Sequence, residues 1–199
     1  MNLRVPVLTC FMVGSALLVY RFPHLGALLA YDRQAILAGE WWRLGTAPLV
    51  HFSASHLGWN SLILGAAGWA VEALGYRHFW LVCAVAALAP GMVYILVAPE
   101  LAVYGGLSGL ASGAVAYLCL GNLFTKGPNR VLWMAILLLM VGKIMAEVSL
   151  DVPLFARPDG VPFRALPLVH AAGFFGAACA MLWTVRSRGQ DPLEVRGCS

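Results

Sequence analysis

The stretch Tyr104-Gly105-Gly106-Leu107-Ser108-Gly109-Leu110-Ala111-Ser112-Gly113 sets one serine in a bed of glycines, at the mouth of an apolar segment running to about Phe124. Gly105, Gly109 and Gly113 recur every four residues, which on a helix makes one smooth face that a neighbouring helix can approach closely. The expected neighbour is Leu166 to Val185, which carries His170 just inside its own start. A serine and a histidine, each just inside a membrane helix, suggest a nucleophile and its base. A lone Gly-x-Ser-Gly is more often a packing motif, with Ser108 and Ser112 as small residues between helices. The rest of the chain must therefore carry the case.

Of the 199 residues, 61% are hydrophobic and 11% charged, against roughly 25% charged in an ordinary soluble domain. That composition indicates an integral membrane protein whose function is expected to lie in the membrane core or its loops. The net charge of +4 is scattered and does not suggest nucleic acid; basic residues near helix ends usually report topology. Cys10, Cys83, Cys119 and Cys179 fall within apolar segments and Cys198 in the tail. Without paired spacing or nearby ligand groups they read as small buried residues rather than disulfides or a metal site.

Working outward, the apolar runs predict spans at about 5–20, 55–74, 78–98, 107–124, 131–150 and 166–185. The first is short against the ~17–25 residues a span needs, but no convincing small-x-small cleavage site follows it, so it is kept as a helix. Residues 21–55 form a long amphipathic connection whose Asp32, Arg33, Glu40, Trp41, Trp42 and Arg43 suit the membrane interface. Lys126-Gly127-Pro128-Asn129-Arg130 reads as a turn, and Pro153, Pro158, Gly160 and Pro162 make 151–165 a loop. Arg186-Ser187-Arg188 is expected to stop the last span. With both termini in the cytoplasm, Arg4, Arg77, Lys126, Arg130, Arg186, Arg188 and Arg196 lie inside, against Arg21, Arg33, Arg43, Arg157 and Arg164 outside. On that topology Ser108, His170, His56 and Asn60 all fall near the outer ends of their helices.

His56 and Asn60 are four apart and share a helix face. They are either a structural hydrogen-bonded pair or donors to the oxyanion of a tetrahedral intermediate, with the Ser108 N–H as a third. His51 is as suited to tethering its loop as to chemistry, and His24 and His78 lie in or beside connections. There is no H-E-x-x-H zinc motif, and no pair of aspartates within spans. A serine–lysine dyad is the live competitor, because Lys143 also sits in the outer half of its helix. Glu147 lies one turn from Lys143; the two are expected to neutralise each other, which makes lysine a poor base and favours His170.

Together Trp42-Arg43, His51-x4-His56-x3-Asn60, Gly68 and Glu72, Gly106-x-Ser108-Gly109 and His170-x2-Gly173 resemble the rhomboid intramembrane serine proteases over roughly residues 41–177. The resemblance implies an all-α membrane protein, a six-transmembrane-helix rhomboid-like bundle filling 1–199 as a single domain, with no cofactor and no metal. Ser108 would be the nucleophile and His170 the general base, a dyad with no third member, with His56, Asn60 and the Ser108 N–H as the oxyanion hole. His51, Trp42 and Arg43 would shape the first loop, and 151–165 would cap a water-filled site. Two positions depart from the family pattern. Ser112 stands where a tyrosine often stacks on the histidine, so another group must hold the imidazole, and Ala177 stands where glycine is common.

The Lys143-x3-Glu147 pair and the small core look like the rhombosortase branch, bacterial enzymes that process proteins ending in a Gly-Gly motif, an apolar helix and a basic tail. The resemblance thus implies substrates anchored by a C-terminal transmembrane helix, in a bacterial inner membrane, with the site opening to the periplasmic side. Release of the acyl-enzyme by water or by an amine stays open. The rival readings are an inactive rhomboid-like protein that binds membrane helices, and a transporter, which would show an internal repeat; none is evident.

Overall fold

A computed structural model describes residues 5–124, 129–150, 154 and 166–188. Apolar runs in this chain become helices because a backbone in hydrocarbon must satisfy its own hydrogen bonds. Six long helices stand where six spans were predicted: α1 (Val7–Arg21), α5 (Ala54–Ala73), α6 (Phe79–Val97), α7 (Ser108–Phe124), α8 (Arg130–Leu150) and α9 (Pro167–Arg188). By length and composition, α6, α8 and α9 could each cross a membrane; α1 and the short α2 (Pro23–Leu29), bent by 116°, make a fourth if counted together. The other two fall short for physical reasons. The α5 sequence carries Ser55, His56, Asn60, Ser61 and Glu72, and α7 has 17 residues.

The centre of the bundle is α7, packed against α9, α5, α6 and α8. Its buried residues are small along much of their length: Gly109, Ala111, Ser112, Gly113, Ala114, Ala116 and Gly121. By contrast α8 is peripheral, and among the described residues its one buried side chain is Glu147. The end of α9 corrects an expectation: the helix runs through Arg186 to Arg188 instead of stopping before them.

The 21–55 connection is more ordered than its composition suggested. It holds α2, a strand β1 (Tyr31–Asp32), α3 (Arg33–Leu37), α4 (Arg43–Thr46) and a 3-10 turn Ala47–Leu49. Asp32 caps α3 by accepting from the Ala35 N–H at 3.0 Å. Strand β1 pairs antiparallel with β2 (Val103–Tyr104), Tyr31 opposite Tyr104, and the two buried rings lie 4.6 Å apart. This pairing ties the first connection to the segment immediately before α7.

Gly105 also departs from its expected place. It precedes α7 instead of lying on the helix, and a Cβ there would come within 2.7 Å of Val50 O and 3.0 Å of Ala47 O. Its missing side chain admits the first connection's backbone, and Gly106 N–H donates to Ala47 O at 3.2 Å. The tail with Cys198 and most of the 151–165 loop lie outside the described residues.

Helix α1 is anchored by a carboxylate from another helix. Glu72, near the end of α5, accepts from the N–H groups of Leu8 and Thr9 at 3.0 and 2.8 Å and from Thr9 Oγ1 at 2.6 Å. These are orphan amides of the α1 N-terminus, where negative charge is favoured. Glu72→Ala should cost ~1–3 kcal/mol, the range for hydrogen bonds to a charged group and for donors left unsatisfied. Thermal unfolding in detergent checks this, with Glu72→Gln expected to recover part of the loss.

Candidate active site

The site grows from the start of α5. Ser53 caps that helix, its Oγ accepting from the His56 N–H at 3.1 Å. This places His56 in the first turn and Asn60 one turn later on the same face. Opposite them Gly106 has φ +131°, in the left-handed region that favours glycine. A Cβ on Gly106 would lie 2.7 Å from His56 Cε1, 2.8 Å from His56 Nε2 and 3.6 Å from Asn60 Nδ2. Both side chains therefore lie against the backbone two residues before Ser108. Ser108 is the first residue of α7, ahead of the first i→i−4 bond from Ala111 N–H to Leu107 O at 2.9 Å. The amides of its turn thus sit at the positive end of the helix.

His170 reaches the same end of the bundle because α7 and α9 meet backbone to backbone. A Cβ on Gly109 would lie 2.8 Å from Val169 O; one on Gly173 would overlap Gly109 O and lie 2.8 Å from Gly113 N. The described residues contain no hydrogen bond between Ser108 Oγ and His170; catalytic hydrogen bonds often tighten only when substrate is bound. His170 is 6% exposed, and its Nδ1 lies 2.8 Å from Ser112 Oγ. Ser112 is thus itself in polar contact with the imidazole. Its signal in the sequence was its position four residues after Ser108, on the same helix face.

On the other side of the ring, His170 Nε2 lies 3.8 Å from Glu147 Oε2. Glu147 also accepts from Lys143 Nζ at 2.7 Å and from the Leu154 N–H at 2.9 Å. The Lys143–Glu147 pair read from the sequence is present, and its carboxylate faces His170.

His51 tethers. Its Nδ1 faces Leu49 O at 3.4 Å, while its Nε2 accepts from the Leu107 N–H at 3.2 Å and from Asn60 Nδ2 at 3.3 Å. It thereby joins the first connection, α5 and the start of α7. Trp42 and Arg43 act further back. The four carbonyls at the end of α2 each receive a donor from one short segment: Arg43 Nη1 to Ala27 and Ala30 (2.8 and 2.9 Å), Trp42 Nε1 to Leu28 (3.3 Å) and Thr46 Oγ1 to Leu29 (2.8 Å). Helix ends leave such carbonyls unpaired, and cations suit them. Arg43 is buried and also pairs with Glu40 at 2.6 Å, while Trp41 and Trp42 are exposed. His78 is remote from the site, its Nδ1 2.9 Å from Thr184 Oγ1 near the far end of α9.

The Rhomboid domain family matches residues 38–188, a region that includes every one of these side chains. The chain belongs to the rhomboid family. The rhomboid protease GluP of Bacillus subtilis (strain 168) is 31% identical over 134 residues, which cover 64% of this chain and 26% of that protein. The chain thus spans about a quarter of the length of that curated relative. By family this rhomboid is a multi-pass membrane protein.

Two measurements probe the site's framework. Burial, reinforced by neighbouring His56, pushes His51 from its ordinary 6.5 down to about 3. Between those values the unfolded chain binds a proton that the folded chain refuses, so stability is full above about 6.5 and falls as pH drops through the window. His51→Gln keeps an acceptor oxygen but cannot titrate, so its melting temperature should fall less steeply than the wild type's from neutral pH to the acidic end of that window. An equally steep fall would put the sensitivity elsewhere. Gly106→Ala should cost ~1–3 kcal/mol of backbone strain, and it should shift the His56 ring resonances, since the methyl would occupy the ring's place.

Proposed function

We propose that this rhomboid is an intramembrane serine endopeptidase in which Ser108 is the nucleophile and His170 the general base. The observation that supports this most is a convergence at one end of α7. Ser108 opens that helix, Gly109 and Gly113 bring α9 and its histidine against it, and His56 and Asn60 lie against Gly106. Lys143 is the poorer base because its ammonium is held by Glu147 at 2.7 Å.

The chemistry follows from those positions. A substrate helix must unwind locally, because a fully hydrogen-bonded helix hides its carbonyls. His170 Nε2 takes the Ser108 proton as Oγ bonds to the scissile carbonyl carbon, whose π electrons move onto oxygen. That oxyanion receives the Ser108 N–H, His56 and the second N–H of Asn60, the first being directed to His51. Collapse breaks the C–N bond, His170 passes its proton to the leaving amine, and an acyl-enzyme remains. Water then attacks with His170 as base, releasing a carboxylate.

In this reading six spans cross a bacterial inner membrane, both termini are cytoplasmic, and the site opens to the periplasmic side. Substrates are proteins anchored by a C-terminal transmembrane helix, and the Lys143–Glu147 pair beside His170 supports the rhombosortase type, with a Gly-Gly motif before the helix and a basic tail after it.

The test is cleavage of such a reporter in membranes, together with labelling by a fluorophosphonate, which needs no substrate. Wild type should cleave and be labelled at Ser108; Ser108→Ala and His170→Ala should do neither. Asn60→Ala should retain activity reduced ~10²–10³-fold, the loss typical of one oxyanion donor. Lys143→Arg keeps the pair with Glu147 but cannot serve as a base. Full activity there supports His170, and loss there would favour a serine–lysine dyad. An unlabelled wild type that leaves the reporter intact would favour a helix-binding protein without catalysis.

A further inference from the structure

Resting on that reading, we propose that Ser112 is a positioning residue for His170: its hydroxyl accepts the Nδ1–H bond, fixes the tautomer and leaves the Nε2 lone pair for Ser108. The two ring nitrogens are in unlike surroundings. Nδ1 has Ser112 Oγ at 2.8 Å. Nε2 has no hydrogen bond among the described residues; Glu147 Oε2, at 3.8 Å, is beyond hydrogen-bond reach and already accepts from Lys143. A buried N–H without an acceptor is costlier than an unused lone pair, so the proton belongs on Nδ1. A histidine's tautomer is set by the bond its other nitrogen makes.

The arrangement also has a geometric consequence. Ser112 is buried on the face of α7 that carries Ser108, one turn further along. The same rigid helix then holds the nucleophile and the group that aims its base. Where a stacked ring would restrain the imidazole plane but not a half-turn flip about χ2, the hydroxyl also selects which ring nitrogen faces α7. The imidazolium formed during the reaction keeps its Nδ1–H on Ser112, with the Glu147 carboxylate 3.8 Å from Nε2.

The wild-type protein is the first sample. In detergent at neutral pH with isotope-labelled histidine, and His170 assigned by difference against His170→Gln, nitrogen resonances should report the Nδ1-protonated tautomer. An Nε2-protonated ring would overturn the proposal without any variant at Ser112 having to fold. The second measurement is the rate of fluorophosphonate labelling at Ser108. Ser112→Ala, at an unchanged melting temperature, should label at least ~10-fold more slowly, since small misplacements of a catalytic group cost up to ~10²-fold. Labelling of Ser112→Ala at the wild-type rate would overturn the positioning role while leaving the Ser108–His170 reading intact. Absence of Ser108 labelling in the wild type would instead overturn that reading.

Discussion

Much of this molecule depends on how closely α7 and α9 approach. Gly109 and Gly113 on one helix and Gly173 on the other leave no room for a Cβ, and a methyl at any of the three would press on the opposing backbone. Inside a bilayer, lipid tails are as apolar as any side chain, so helices associate through close packing and hydrogen bonds rather than through exclusion of water. Glycine faces supply that packing, and they set the height at which the start of α9, with His170, stands against α7. Small residues along α7 extend the principle, letting one helix touch four others at once.

Three sets of polar side chains within so apolar a chain are held by specific backbone partners. Glu72 takes the orphan amides of α1, Arg43, Trp42 and Thr46 take the orphan carbonyls of α2, and His51 takes the amide of Leu107. In each case a side chain completes the end of a distant backbone segment, which is where hydrogen bonds are missing once helices form. The first connection is consequently a framework around the candidate site. It touches the start of α7 through the β1–β2 pair, through the Gly106 N–H on Ala47 and through His51.

The legible parts of the sequence were those with a period or a compositional contrast. Apolar runs placed six helices to within about three residues at each end, and the i,i+4 spacings of His56 with Asn60 and of Lys143 with Glu147 held as shared faces. The number of membrane crossings was less legible, because α5 is polar and α7 short for such a segment. Gly105 was misread as part of a helical repeat. A four-residue spacing continues formally past the point where the chain leaves the helix, and nothing local marks that Gly105 instead faces the Val50 and Ala47 carbonyls. Strands β1 and β2, of two residues each, are too short to carry a period at all.

By itself the sequence determined that the chain belongs in a membrane, which segments are helical, and which serine and histidine stand at helix starts. These follow from composition and spacing, which are properties of neighbouring residues. Only the tertiary structure decided what those groups touch: Ser112 on His170 rather than merely packed beside it, Glu147 turned inward from an otherwise lipid-like helix, Glu72 on the far end of α1. Each of these contacts joins residues on different elements, most of them tens of positions apart in the chain. The bond exists only because close glycine packing and satisfied helix ends bring its two partners together.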